Sequence, residues 1–375
     1  MRHTANELLQ WQALPLDIKI RMTASRIRGW VNEYGESGTY VSFSGGKDST
    51  VLLDIVRNKC GYKNVPAMFV DVPTQYPELR DFAKTFNNVD IVRPSISFAK
   101  VCEDYGFPII SKEVADDVEG AKKYLLKLLL DGTIPFDRQI GQSRLEIVAN
   151  NAEYLAQIMN DRMVNKKGGS NQRLAIMLGW LTKDMSHPIR CDLASNAKSK
   201  FDHKKYQFFL DSKFDISGKC CDKMKKDPAH CYSHETKREP MTAEMAAESR
   251  MRKQKWFEHG CNAFDAKEPK STPMAFWTEN DVLQYIKENN LQICSVYGDV
   301  VCENGNYKTT GCTRTGCMLC GFGCHFEKPE DSRFLQLKKT HPGMYNLLDV
   351  IKNNGVTFRE AIEWTNEHGN LDIRL

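Results

Sequence analysis

Ser44, Gly45, Gly46, Lys47, Asp48 and Ser49 place two adjacent glycines, a cation, a carboxylate and two hydroxyls in six consecutive positions. Adjacent glycines let a backbone take φ values that other residues resist and approach a phosphate closely. The lead-in Tyr40 to Phe43 reads as a short buried strand, and the run from Asp48 to Val56 has helical apolar spacing. The glycines therefore stand at a strand-to-helix turn. A helix start offers unpaired N–H groups and positive dipole character to an anion. Lys47 adds a mobile cation, and Ser44 and Ser49 add hydroxyl donors. The spacing is not that of a Gly-x4-Gly-Lys-Ser/Thr loop.

The second cluster able to do chemistry lies between Gly311 and His325, where Cys312, Cys317, Cys320 and Cys324 follow one another at spacings of x4, x2 and x3. Such crowding, with glycines for tight turns, is a metal-ligand signal. All-thiolate coordination suits a [4Fe-4S] cluster or a structural Zn²⁺. A further pair, Cys220-Cys221, precedes Asp222, Lys223, Met224, Lys225, Lys226, Asp227 and Pro228.

The elements that must position these groups follow an α/β pattern. At 375 residues the chain is long enough for one large α/β core carrying insertions. Residues Leu8 to Tyr34 read as one or two helices ahead of the first strand. Val65 to Asp71 reads as a second strand ending in an acid, and Val89 to Val92 as a third. Ligands of open parallel sheets gather beyond the carboxyl ends of strands, which puts Asp71 near the ligand. Gly106 to Lys112 reads as an extended segment, with Lys112 a candidate substrate contact. Asp116–Leu130, Leu145–Met163 and Gln172–Leu181 read as helices and Lys166–Ser170 as an exposed loop. Thr278 caps a helix that starts with acids, and Arg333 to Leu375 reads as helical cover broken at Thr340–Gly343.

The expected division is 1–111 for the N-terminal helices and glycine-loop half, 112–216 for a helical insertion, 217–300 for the second half of the core, 301–330 for the cysteine-rich segment and 331–375 for the cover. Net charge is +4, too small an excess to establish nucleic-acid binding. Basic clusters at Lys122-Lys123, Lys166-Lys167, Lys198–Lys205 and Lys223–Lys226 read as solvated faces that could join into a patch. No apolar run approaches a membrane span, and a cytoplasmic location is expected. There the 13 cysteines are ligands or reactive thiols rather than a disulfide framework.

The Ser-Gly-Gly-Lys-Asp-Ser string resembles, residue for residue, the pyrophosphate loop of the ATP pyrophosphatases, or adenine nucleotide alpha hydrolases. Pro73 to Glu78, Cys220 to Pro228, Ala243 to Arg252 and Pro273 to Ile286 are similar to elements of the phosphoadenosine-phosphosulfate reductase branch of that family. In the third of these, Ala243 and Met245 replace a glycine and an arginine, while Glu248, Ser249 and Arg252 keep the pattern. The resemblance implies a doubly wound, mainly parallel, Rossmann-like sheet. It implies binding of ATP with Mg²⁺ at Ser44, Gly45, Gly46, Lys47, Asp48, Ser49 and Asp71, with Lys47, Asp48 and Arg252 in catalysis. It also implies metal ligation by Cys220, Cys221, Cys317 and Cys320, whereas local spacing favours Cys312, Cys317, Cys320 and Cys324. A [4Fe-4S] cluster is the expected occupant and Zn²⁺ the alternative.

The expected activity is AMP-forming, ATP-dependent sulfur transfer. Its partners would be a sulfur donor such as a cysteine desulfurase and an acceptor that includes tRNA or DNA among the candidates, with the chain in a homo-oligomer. The alternatives are a true reductase that makes sulfite and a non-catalytic nucleotide sensor. Lys47 and Asp48, which the reductases have lost, and the absence of a Glu-Cys-Gly-Leu-His tail favour the first reading.

Overall fold

A computed structural model describes residues 3–134, 142–164, 170–180 and 202–375. The expected loop at 166–170, apart from Ser170, lies outside the described residues, as do Lys198 and Lys200 of one basic cluster. The chain divides into two compact units, 1–95 with 223–317 and 96–222 with 318–375.

The first unit is built on a six-stranded sheet. Helices α1 (Ala5–Gln12) and α2 (Leu16–Tyr34) precede β1 (Thr39–Ser42), α3 (Lys47–Asp54), β2 (Ala67–Val70), α4 (Pro77–Lys84) and β3 (Val89–Val92). After the other unit's first segment come α5 (Asp227–Thr236), β4 (Glu239–Met241), α6 (Arg250–His259), β5 (Asn262–Ala263), β6 (Lys270–Ser271) and α7 (Glu279–Glu288). A hairpin of β7 (Val300–Glu303) and β8 (Asn306–Thr309) follows.

The strand order is β3-β2-β1-β4-β6-β5. All neighbours are parallel except the β5–β6 pair at the edge. From β1 the chain winds outward through β2 and β3 on one side and later through β4 and β6 on the other. The order reverses at β1, so the glycine loop leaves β1 at the position in an open parallel sheet that favours ligand binding. Val41, Phe43, Ala67 and Phe69 are fully buried and join Ile27 and Trp30 of α2, Leu52 of α3 and Trp277 in one core.

One buried ion pair fixes the start of α7. Lys19 Nζ of α2 lies 2.7 Å from Asp281 Oδ2, which also accepts the Thr278 N–H at 2.7 Å. Thr278 completes the expected cap.

The second unit contains the two-residue strand Ile109–Ile110, paired in parallel with Gly321–Phe322. Phe107 stacks on Phe358 with ring centroids 4.7 Å apart. The helix expected at 145–163 is two helices, Arg144–Asn150 and Ala152–Val164, because Asn151 ends the first by folding its side chain back onto the Ile147 carbonyl. Lys122 is not part of a solvated patch. Its ammonium is buried and donates to Ser212 O, Ser212 Oγ, Phe214 O and Asp215 Oδ1. Lys112 pairs with Asp222 at 3.4 Å. The cover is helical at Arg333–Thr340, Pro342–Tyr345 and Phe358–Gly369, with His341 at the expected break. Among the described residues no helix is long and apolar enough to cross a membrane.

Candidate nucleotide site

Gly45 turns the chain at φ +70°, and a Cβ there would stand 3.0 Å from the Leu79 carbonyl oxygen. Only glycine fits both the conformation and the gap. Gly46 then occupies the N-cap of α3, and its carbonyl accepts the first helical bond from Thr50 N at 3.0 Å. No side chain caps this helix, so the start of α3 keeps its backbone donors for other partners. The hydroxyls of Ser44 and Ser49 lie 3.1 Å apart and brace the turn, with Ser49 Oγ also donating to Gly46 O.

Lys47 points inward and is only 3% exposed. Its ammonium donates to Thr313 O at 2.8 Å, lies 3.1 Å from Glu279 Oε1 and stands 5.5 Å from the centre of the Tyr297 ring. The Tyr297 hydroxyl is 2.7 Å from Thr315 Oγ1. Burial is the main reason that this phenol is pushed up to about 12.

Asp48 has one carboxylate oxygen, Oδ1, buried without a hydrogen-bond partner among the described residues. Burial raises its pKa, and the charges of Glu248 and Glu279 push the same way against the opposing pull of Lys47 and Arg314. A desolvated carboxylate surrounded by other carboxylates favours a cation nearby.

Asp71, at the end of β2, is 3% exposed and accepts from Arg80 Nε at 2.6 Å and Arg93 Nε at 3.1 Å. Neither arginine was singled out from the sequence. A signal was present for Arg93, which follows β3 as Asp71 follows β2, in register through the Val70–Val92 pair. Arg252 lies in the first turn of α6 and lines a cavity of about 190 Å³ with Glu244, Lys255, His259 and Lys270. Its guanidinium is hydrogen-bonded to Glu248 and lies 4.0 Å from Glu244. Glu244 is held below its usual range. Burial opposes this, but Lys270, Arg252 and Lys255 together outweigh it. The charge of Glu248 also helps to raise the pKa of Asp48.

The family model for the phosphoadenosine phosphosulfate reductase domain matches residues 38–109 and 183–321, more than half of the chain. The chain belongs to the phosphoadenosine phosphosulfate reductase family. Both matched segments contribute to the sheet that carries the glycine loop, and the mixed α/β architecture with its mainly parallel sheet is that of this Rossmann-like family. Family members are enzymes, which supports an enzymatic role and a function of the pyrophosphate-loop type. The comparison with curated proteins found no match.

The cysteines are distributed between the units. Cys312 and Cys317 belong to the first, and Cys220, Cys221, Cys320 and Cys324 to the second. Cys324 is buried, its thiol donates to Cys320 O at 3.4 Å, and burial pushes its pKa up to about 12. Among the described residues no group of three or more His, Cys, Asp or Glu side chains is gathered to hold a metal ion. The thiols have the chemistry of a cluster site.

Proposed function

We propose that this family member is an ATP-dependent, AMP-forming sulfurtransferase. The observation that carries the proposal is the pairing of Lys47 and Asp48 at the uncapped start of α3, where the sheet order reverses. A polyphosphate seated on Ser44–Ser49 would meet the hydroxyls, the backbone donors and the Lys47 ammonium. The buried Oδ1 of Asp48 is the carboxylate atom suited to the Mg²⁺ that accompanies ATP.

In the first step an acceptor oxygen attacks the α-phosphate, the α–β bridging bond breaks, and pyrophosphate leaves on the loop. Positioning and charge neutralisation supply most of the rate. In the second step a persulfide sulfur displaces AMP from the activated acceptor and joins donor and acceptor through a disulfide. A thiol reductant then supplies two electrons, freeing the thiolated acceptor. No step is assigned to a metal cluster.

The test is incubation of the protein with ATP labelled at the α-phosphate, a persulfide donor and candidate acceptors, including tRNA and DNA. AMP and pyrophosphate formed together support the proposal. Sulfite released from a sulfonucleotide without ATP would overturn it in favour of a reductase.

A further inference from the structure

Polar groups that would receive a polyphosphate at the loop are engaged from within the chain. The Gly46 N–H donates to Ser44 Oγ at 3.3 Å, and the Lys47 ammonium donates to Thr313 O at 2.8 Å beside Glu279. The Tyr297 ring stands 5.5 Å from that ammonium and its hydroxyl is 2.7 Å from Thr315 Oγ1, and Arg314, between Thr313 and Thr315, is close enough to act on the charge of Asp48. Three consecutive residues thus lie on the phosphate cradle. A Cβ on Gly46 would stand 3.2 Å from the Tyr297 hydroxyl and 3.8 Å from Thr315 Oγ1, so little space separates them from the loop.

The two ends of this segment differ. On one side, Gly311 N bonds to Tyr297 O at 2.9 Å and Cys312 N to Val296 O at 2.8 Å, and a Cβ on Gly311 would collide with that backbone. On the other side, Gly316 is exposed, with nothing within 4 Å of where its Cβ would be. One end is anchored and the other has room to turn.

We propose that Thr313–Thr315 is a strap over the pyrophosphate loop, and that an arriving polyphosphate displaces it about the Cys312 anchor, shifting Cys317 relative to Cys312. The inference rests on the reading that the loop binds the polyphosphate of a nucleotide. The exchange favours the ligand, because Lys47 gives up a neutral carbonyl and one half-exposed carboxylate for several phosphate oxygens. Charge-assisted bonds of that kind are about twice as strong as neutral ones. Nucleotide occupancy would thereby be communicated to the first two cysteines of the cysteine-rich segment.

The experiment uses the full chain with magnesium pyrophosphate and magnesium ATP as probes, binding measured by calorimetry and the strap by limited trypsin cleavage after the exposed Arg314. Saturating pyrophosphate is expected to speed that cleavage several-fold, although a bound ligand ordinarily protects a protein. Tyr297→Phe, which keeps the ring and removes the hydroxyl, is expected to speed it without ligand. Glu279→Gln is expected to tighten pyrophosphate binding about two- to five-fold, the worth of a partly exposed ion pair. Binding with no change in cleavage at Arg314 overturns the strap and leaves the nucleotide site standing. Failure of either probe to bind the unmodified chain or either variant removes both.

Discussion

Lys47→Ala separates the site's chemistry from its contribution to stability. The ammonium has one carbonyl partner, one carboxylate that is about half exposed, and one aromatic ring at 5.5 Å. A hydrogen bond of this kind contributes about 0.5–1.5 kcal/mol, the exposed pair about 0–1 and the ring contact about 0.5–1. These terms overlap, and a loss of about 1–3 kcal/mol is expected, because Glu279 can turn to solvent when its partner is gone. For a unit of this size that lowers Tm by roughly 3–10 °C. The effect on rate should be much larger. Removing a preorganised donor from developing charge costs about 100- to 1000-fold by analogy with an oxyanion hole. The assay is pyrophosphate release at 20 °C, with circular dichroism to confirm folding. Lys47→Met keeps most of the stem and serves as a control: it should lose as much rate with a smaller drop in Tm. Either variant releasing pyrophosphate within five-fold of the unmodified protein would refute the assignment of Lys47 to the phosphate.

Asp48→Asn should abolish activity while raising Tm at pH 7.5, because it removes a carboxylate that burial disfavours. Its pKa is raised on folding, so the cost is fully present above the raised value and fades as pH falls toward the ordinary 3.8; the Tm difference should shrink over that window. Asp71→Ala should destabilise the first unit by about 1–3 kcal/mol in urea unfolding, since Arg80 and Arg93 lose a buried acceptor but can reach water. Anaerobically purified protein is expected to contain iron and acid-labile sulfide, lost when Cys317 and Cys320 are both replaced by serine; stoichiometric zinc without iron would overturn that expectation. Replacing Cys220 with Cys221, and separately Cys312 with Cys324, should distinguish the two ligand sets.

Groups whose roles are set by near neighbours were legible in the sequence. The buried β1 lead-in, the glycine turn, Asp71 at the end of β2 and the Thr278 cap all follow from residue types within a few positions of one another. The partners of these groups were not. Lys47 meets a carbonyl 266 residues away, and nothing local marks Thr313 as that partner. Tyr297 is one of 13 tyrosines, and its sequence surroundings do not show that its ring stands by the Lys47 ammonium or that its hydroxyl meets Thr315. Lys122 misled for a related reason. A lysine on a helix normally faces water, but here Ser212, Phe214 and Asp215 close around it from a distant stretch. Arg252 was found by its motif, and its partner Glu248 stands four residues before it in the same motif.

The division of the first unit into two segments governs how the protein can be made. β1 is central in the finished sheet, but its partner β4 begins at residue 239, after the whole of 96–222. At about 5–20 residues per second, ribosomal synthesis leaves the β4 side of β1 unpaired for roughly 10–40 s, long compared with strand pairing itself. During that interval a nascent βαβαβ half carries an open, apolar strand edge suited to joining another chain. Chaperone capture of ribosome-bound chains should therefore be strongest when they end between residues 95 and 239, and splitting the gene within 96–222 should yield an N-terminal fragment that aggregates unless the C-terminal fragment is made with it.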